Sequence, residues 1–237
     1  LNEYYENKLE DYFTVCWWDY YGEGLSYDAK IDKSEITLER LEQDAVTITE
    51  YLKERFSKDK IYLMAHSGGT PLGVVLAKNH PELFYCYFSM GQVVQNGYDR
   101  YTYGYQFMKE IFEKTGNKRA MRKMDALVTV EADGSVIPKN PDTIHAEWES
   151  VLLSAGCATT REMRSDALDI FFPQMQAECY TFTQKIDYWR GKALCTASPY
   201  HKFALNSGER IEFDIPVYFL NGYYDYTCPT PMVETFY

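Results

Sequence analysis

"KIYLMAHSGGTPLGVVLAK", residues 60–78, reads as an apolar run, a tight turn of small residues and a helix. The run "IYLMA" at 61–65 is continuously apolar, the composition of a strand buried on both faces of a parallel sheet. Pro71 fits only the first turn of a helix, so a helix starts near Gly68 and Gly69 and ends before "NHP" at 79–81. Ser67 therefore falls on the turn between strand and helix. The five residues Ala65-His66-Ser67-Gly68-Gly69 depart from the pattern G-x-S-x-G only at the first, where one methyl is added. That pattern has a physical basis. A nucleophile on a sharp, strained strand-to-helix turn has its hydroxyl lifted clear of the sheet edge, and the residues two before and two after it are small because the two backbones approach closely. The N–H of Gly68, at the helix start, would then be an oxyanion donor assisted by the helix dipole. A serine here could also act as a helix N-cap, but a cap needs no small residues on both sides. His66 is adjacent in sequence, and its side chain should point away from the hydroxyl into a packing or hydrogen-bonding role.

Outward from this stretch the pattern alternates. Upstream, apolar residues recur at Leu38, Leu41, Ala45, Ile48 and Leu52 with charges between them, a helical spacing with Thr37 as its N-cap and "FSKDK" as its polar end. Before that helix lie a short β-rich run, "FTVCWW" at 13–18, and the glycine-punctuated loop "DYYGEGLS". Downstream, "LFYCYFSM" at 83–90 reads as another strand, and the rhythm resumes at "IPVYFLNG", 215–222. Strands and helices in alternation with short loops predict an α/β fold with a mostly parallel sheet, right-handed crossovers and flanking helices. Between 92 and 210 the reading is mainly helical, as in "YQFMKEIFEKTG" and "FTQKIDYWRG", with one hairpin turning at Asp133-Gly134. Such a stretch between two sheet strands predicts a helical cap. The expected organisation is a core over 1–91, a cap over 92–210 and the rest of the core over 211–237.

Asp225 follows the apolar strand "IPVYFLNG" and a glycine-containing turn, at the carboxyl end of a sheet where α/β sites lie. The order serine, then aspartate, is the order of a triad on such a sheet. A turn aspartate that caps the next helix is the other use of such a residue.

Composition narrows the partners. Lys and Arg number 24 against 35 Asp and Glu, a net charge of −11, which argues against nucleic acid or an anionic membrane as the main partner. No apolar stretch approaches the ~20 residues of a membrane helix. Six cysteines lie far apart with no CxxC pair, which points to a reduced, cytoplasmic setting. His145-Ala146-Glu147 matches H-x-E, but no P-C-x-x-C follows, and no other cluster has metal-ligand spacing, so neither metal nor cofactor is expected. Gly22-x-Gly24 is followed by Tyr27 where a dinucleotide fingerprint needs glycine, so a nucleotide site is not expected either.

The chain resembles the α/β-hydrolase fold family, and within it the proline iminopeptidase-like branch. "FTVCWWDYYGEGLS" is similar to the strand and loop that the family writes as WDQRGxGxS, "KIYLMAHSGGTPLG" to its nucleophile elbow, and "IPVYFLNGYYDYTCP" to the strand that ends at the catalytic acid. The resemblance implies a serine hydrolase working through an acyl-enzyme, with Ser67 as nucleophile, Asp225 as acid and Gly68 in the oxyanion hole. It also implies an aminopeptidase acting on a small-molecule or short-peptide substrate. An aminopeptidase needs carboxylates for the substrate's ammonium group, and Glu110, Glu147 and Glu178 are candidates. Ester hydrolysis uses the same machinery, and a non-catalytic binding protein of this fold is a further alternative. The family's histidine follows the acid, whereas histidines 66, 80, 145 and 201 all precede Asp225. The family's HGGPG-type loop, expected before "FTVCWW", does not occur, and Tyr21 stands where the family usually has arginine. With Leu1 in place of an initiator methionine, these departures predict a fragment truncated at both ends.

Overall fold

The structure, a computed structural model, describes residues 8–94, 97–178, 180–203 and 211–236. The expected helix forms as α1 (Leu38–Phe56), with the Thr37 hydroxyl accepting the Arg40 N–H at 3.2 Å and Ser57 closing the helix in the left-handed region at φ 52°. Strand β1 (Ile61–His66) follows, then a 3-10 turn over Ser67–Gly69, helix α2 (Thr70–Asn79) with Pro71 in its first turn, and β2 (Phe84–Met90). After the helical stretch comes β5 (Val217–Leu220) and the short α8 (Thr230–Glu234). The three strands run parallel in the order β1-β2-β5, with Ala65 beside Ser89 and Ser89 beside Phe219. Parallel strands require crossovers, and α2 supplies the first one.

Helices α1, α2 and α8 bury one face of this sheet. Leu41, Ala45, Leu72, Val74, Leu76, Tyr87, Val233 and Phe236 form its core with Leu63, Ala65 and Phe219 packed against them. The other face is open, with Tyr62 53%, Tyr85 47% and Tyr218 50% exposed. This corrects the reading of "IYLMA" as buried on both sides: β1 alternates half-buried and exposed residues because helices cover only one face. The run at 13–18 also differs from expectation, since it forms no strand. A strand exists only with a ladder partner, and among the described residues β1 pairs only with β2. The run instead lays the Phe13 ring 5.5 Å from Tyr62.

Between β2 and β5 lie α3 (Asp99–Thr115), α4 (Lys118–Leu127), the hairpin β3 (Val128–Val130) and β4 (Val136–Pro138), then α5 (Ile144–Ala155). A π-turn at Ala167–Phe171, α6 (Phe172–Gln176) and α7 (Phe182–Thr196) complete the stretch. The hairpin turns at Gly134, φ 86°, as its Asp-Gly sequence requires. These elements have a core of their own around Trp148, Met108, Phe112, Met124 and Leu152. Helix α7 returns to the first core by close approach at Gly191, where a Cβ would lie 2.6 Å from the Gly22 carbonyl oxygen. The expected boundary at 210 lies outside the described residues.

Helix α2 reaches the sheet through a glycine. A Cβ on Gly73 would meet Tyr87 Cζ at 2.6 Å, and that ring is fully buried. Gly73→Ala is therefore expected to lower the unfolding free energy by about 1–3 kcal/mol, the usual cost of overpacking. Gly68→Ala adds the same methyl where no atom lies within 4 Å, and should leave the urea midpoint near that of the parent. Equal midpoints for both variants would contradict this packing.

Candidate active site

The site is built at the carboxyl ends of β1, β2 and β5. At the end of β1 the chain turns sharply into α2, and the turn is made at Ser67, whose φ of 48° lies in the left-handed region. Among the described residues only Ser57 and Ser67 adopt positive φ without being glycine. Ser57 does so as an ordinary helix C-cap, whereas Ser67 does so between a strand and a helix, where the conformation costs on the order of 1 kcal/mol or more. The surroundings hold it there. Thr70 donates its hydroxyl to the Ser67 carbonyl at 2.6 Å, and Thr70 is itself fully buried. The expected close approach of the two backbones is not found: a Cβ on Gly69 would come 4.0 Å from the Ala65 Cβ, an ordinary van der Waals contact. Gly68 is exposed, in open space above the first turn of α2.

Asp225 lies on the turn after β5, and its carboxylate is organised by backbone. Its Oδ1 accepts the N–H groups of Thr227 at 3.0 Å and Cys228 at 3.1 Å. The Oδ2 oxygen lies over Gly91, 3.8 Å from where a Cβ would stand. Burial pushes the Asp225 carboxyl up to about 6, against the pull of the Cys228 and Thr227 N–H groups, and the nearby charge of Glu149 adds to the rise. Burial likewise pushes the neighbouring Cys228 thiol up to about 12, so it stays a protonated thiol.

A run of hydrogen bonds joins the two turns through the loop after β2. The Thr70 hydroxyl that bonds Ser67 accepts the Val93 N–H at 2.9 Å. The adjacent Gln92 N–H donates to Asn221 Oδ1 at 3.4 Å, and Asn221 Nδ2 donates to the Cys228 carbonyl at 3.2 Å. Gly91 donates its N–H to the Leu220 carbonyl at 3.0 Å, continuing the sheet ladder to the edge of the site. The Ser67 turn and the Asp225 turn are thus tied to one loop, the one that follows β2. The side of the acid turn away from the sheet belongs to the helical segment. Tyr226 donates its N–H to the Cys157 carbonyl at 2.9 Å and stacks on Phe107 with ring centroids 4.3 Å apart.

The four histidines are elsewhere. His80 faces Glu42 at 3.1 Å and His145 faces Glu149 at 3.7 Å, while His66 and His201 are exposed; none hydrogen-bonds Ser67 or Asp225 among the described contacts. Glu110, Glu147 and Glu178 are all exposed. The acid that the sequence did not single out is Glu149. It is half-buried, accepts from Arg100 Nη2 at 3.3 Å, and is raised by burial while Arg100 and His145 draw it back down. Its place on α5, one residue after buried Trp148, is the signal that could have found it. Asn221 and Thr70 were within reach too, as polar residues beside the two turns. No group of His, Cys, Asp and Glu among the described residues is arranged to hold a metal ion.

In the loop before α1, Asp19 organises the glycine turn, its Oδ2 accepting the Leu25 N–H at 2.9 Å while its carbonyl accepts the Ser26 hydroxyl at 2.7 Å. Tyr21, standing at the arginine position of the resemblance, donates to Glu35 Oε2 at 2.7 Å and lies beneath the Arg40 guanidinium.

A serine in left-handed backbone between a parallel strand and a helix, with a half-buried aspartate on the turn after a neighbouring strand, is the arrangement of an α/β-hydrolase. The chain is 30% identical over 239 residues to a protein of Bacillus subtilis (strain 168) named probable aminopeptidase YbaC, with 99% of this chain and 71% of that protein covered. The chain belongs to the α/β-hydrolase family. A solved structure of a VrEH2 mutant in complex with SNO aligns over 90% of this chain and 67% of its own, at 18% identity and a TM-score of 0.35. No family model matches the chain. No helix among the described residues is long and apolar enough to cross a membrane.

The raised Asp225 carboxyl has a consequence for stability. A folded pKa of about 6 lies above the unfolded value of ~3.9, so its contribution is fully present below pH ~4 and is lost as pH rises through about 6. Asp225→Asn keeps an acceptor for both N–H groups and removes the charge. In the 237-residue chain, the stability of the parent relative to Asp225→Asn should fall between pH ~4 and ~6 in urea titrations. A difference that does not vary with pH would contradict the burial of this carboxyl.

Proposed function

We propose that the protein is a serine hydrolase working through an acyl-enzyme, and that it acts as an aminopeptidase of the proline iminopeptidase-like type. The observation that carries the reading is the left-handed Ser67 turn, tied through Thr70, the 91–93 loop and Asn221 to the turn of Asp225. The relative named probable aminopeptidase supports the choice of substrate.

In this reading the Ser67 hydroxyl gives its proton to a histidine base as Oγ attacks the substrate carbonyl carbon. Among the described contacts none of histidines 66, 80, 145 and 201 bonds Ser67 or Asp225. Asp225, with Oδ1 committed to backbone, turns Oδ2 toward the imidazole and stabilises the imidazolium. The Gly68 N–H takes the developing oxyanion. Collapse breaks the carbon–nitrogen bond, the leaving amine takes the proton from the imidazolium, and water then releases the acyl group by the same steps. The helical segment between β2 and β5 serves as a cap over this site, and the Glu149 carboxylate beside the acid turn receives the ammonium group of a small or short-peptide substrate. The setting is cytoplasmic, with no cofactor.

Competition between an aminoacyl arylamide and a short acyl ester in the full-length protein tests the assignment. The arylamide should have the higher kcat/KM, Ser67→Ala should abolish turnover of both, and Glu149→Gln should raise KM about tenfold for the arylamide alone, on the order of a lost charge-assisted contact. Equal efficiency with and without the free amine would remove the aminopeptidase reading and leave an esterase. Turnover by Ser67→Ala would remove the serine mechanism.

A further inference from the structure

Behind the Ser67 turn stands a buried tyrosine. Tyr200 follows α7, at the point where the helical segment returns to the sheet, and is 6% exposed. Its hydroxyl donates to the carbonyl of Gly68 at 2.8 Å. In a regular helix the N–H four residues on, that of Leu72, would bond the Gly68 carbonyl. Here that carbonyl also takes a hydroxyl from a side chain far along the chain. A second tyrosine braces the same turn, with Tyr87 donating to the Thr70 carbonyl at 3.1 Å.

Tyr200 is itself fixed from two sides. Its N–H donates to the Ile36 carbonyl at 3.1 Å, and its ring meets Tyr20 edge-on at 5.9 Å. Ser198, two residues earlier, is fully buried and donates to the Cys195 carbonyl at the end of α7. Burial holds the Tyr200 hydroxyl well above the ordinary tyrosine range, so it remains a donor across the working pH range.

We propose that Tyr200 is a positioning residue for the oxyanion hole: by pinning the Gly68 carbonyl, its hydroxyl fixes the Gly68–Gly69 peptide, and through the Gly68 backbone it steadies the aim of the Gly68 N–H on the preceding peptide, whose carbonyl Thr70 holds. This rests on Ser67 being the nucleophile. Without the hydroxyl, the Gly68 carbonyl loses this donor and the Gly68 backbone is freer to turn. Ground-state binding would change little, because the hole is filled only as the oxyanion forms.

The test uses the full-length protein with a p-nitrophenyl acyl ester and an alkyl boronate that occupies the oxyanion hole. Tyr200→Phe should lower kcat tenfold or more with KM within twofold, and weaken the boronate by a similar factor. A tyrosine lost only for packing would not separate kcat from KM in this way. Replacing Tyr200 by 3,5-difluorotyrosine preserves volume and gives a hydroxyl that ionises more readily and then cannot donate. It should bring a fall in kcat at alkaline pH where the parent is still flat, and this arm stands even if Tyr200→Phe folds poorly. Parent-like kcat and boronate affinity in Tyr200→Phe, or a superimposable pH profile in the fluorinated protein, would overturn the inference while Ser67→Ala stays inactive. Turnover by Ser67→Ala would instead overturn the nucleophile reading, and the inference with it.

Discussion

The left-handed backbone of Ser67 is the constraint from which the rest of the site follows. A residue with a Cβ avoids that region unless its neighbours leave it no alternative. Here β1 is fixed against β2 by the parallel ladder, and α2 is fixed against the same sheet by Gly73 seated on Tyr87. The chain reverses from one to the other within the three residues Ser67–Gly69. Thr70 locks the result by bonding back to the Ser67 carbonyl. The strain is offset by the packing of two elements that would otherwise have to separate.

The same hydroxyl extends the constraint across the site. Thr70 also receives the Val93 N–H, and the loop that carries Val93 and Gln92 reaches Asn221 and so the acid turn. Asp225 is held in a conformation set by two backbone donors, while burial keeps its carboxyl near 6. Such a carboxylate is improved by a cationic partner, which would recover the energy that burial costs. An imidazolium on Oδ2 is a partner of that kind. The acid turn is also anchored outward by Tyr226 in the core of the helical segment, so sheet and helices both fix its position.

The site was legible where chemistry and backbone geometry coincide in adjacent residues. The small residues around Ser67, Pro71 in the following helix and the apolar strand before Asp225 announced the two turns directly. The Asp-Gly hairpin and the Thr37 cap were legible for the same reason, since each is a local rule. What was missed depended on partners remote in sequence. "IYLMA" looked buried on both sides because composition reports apolarity and not which helices arrive, and "FTVCWW" looked like a strand although a strand is a property of two segments. Glu149 was passed over for more exposed acids because burial and the approach of Arg100 are set by how α3 meets α5. Tyr200, more than a hundred residues from Ser67, had no local signature at all.

The central claim is that Ser67 is the activated nucleophile. Treating the full-length protein with a serine-directed phosphonate and mapping the adduct by peptide mass spectrometry tests it most directly. A single adduct on the peptide Ile61–Lys78, located at Ser67 and abolished by Ser67→Ala, is the expected result. Labelling at another residue, or equal labelling of Ser67→Ala, would contradict it.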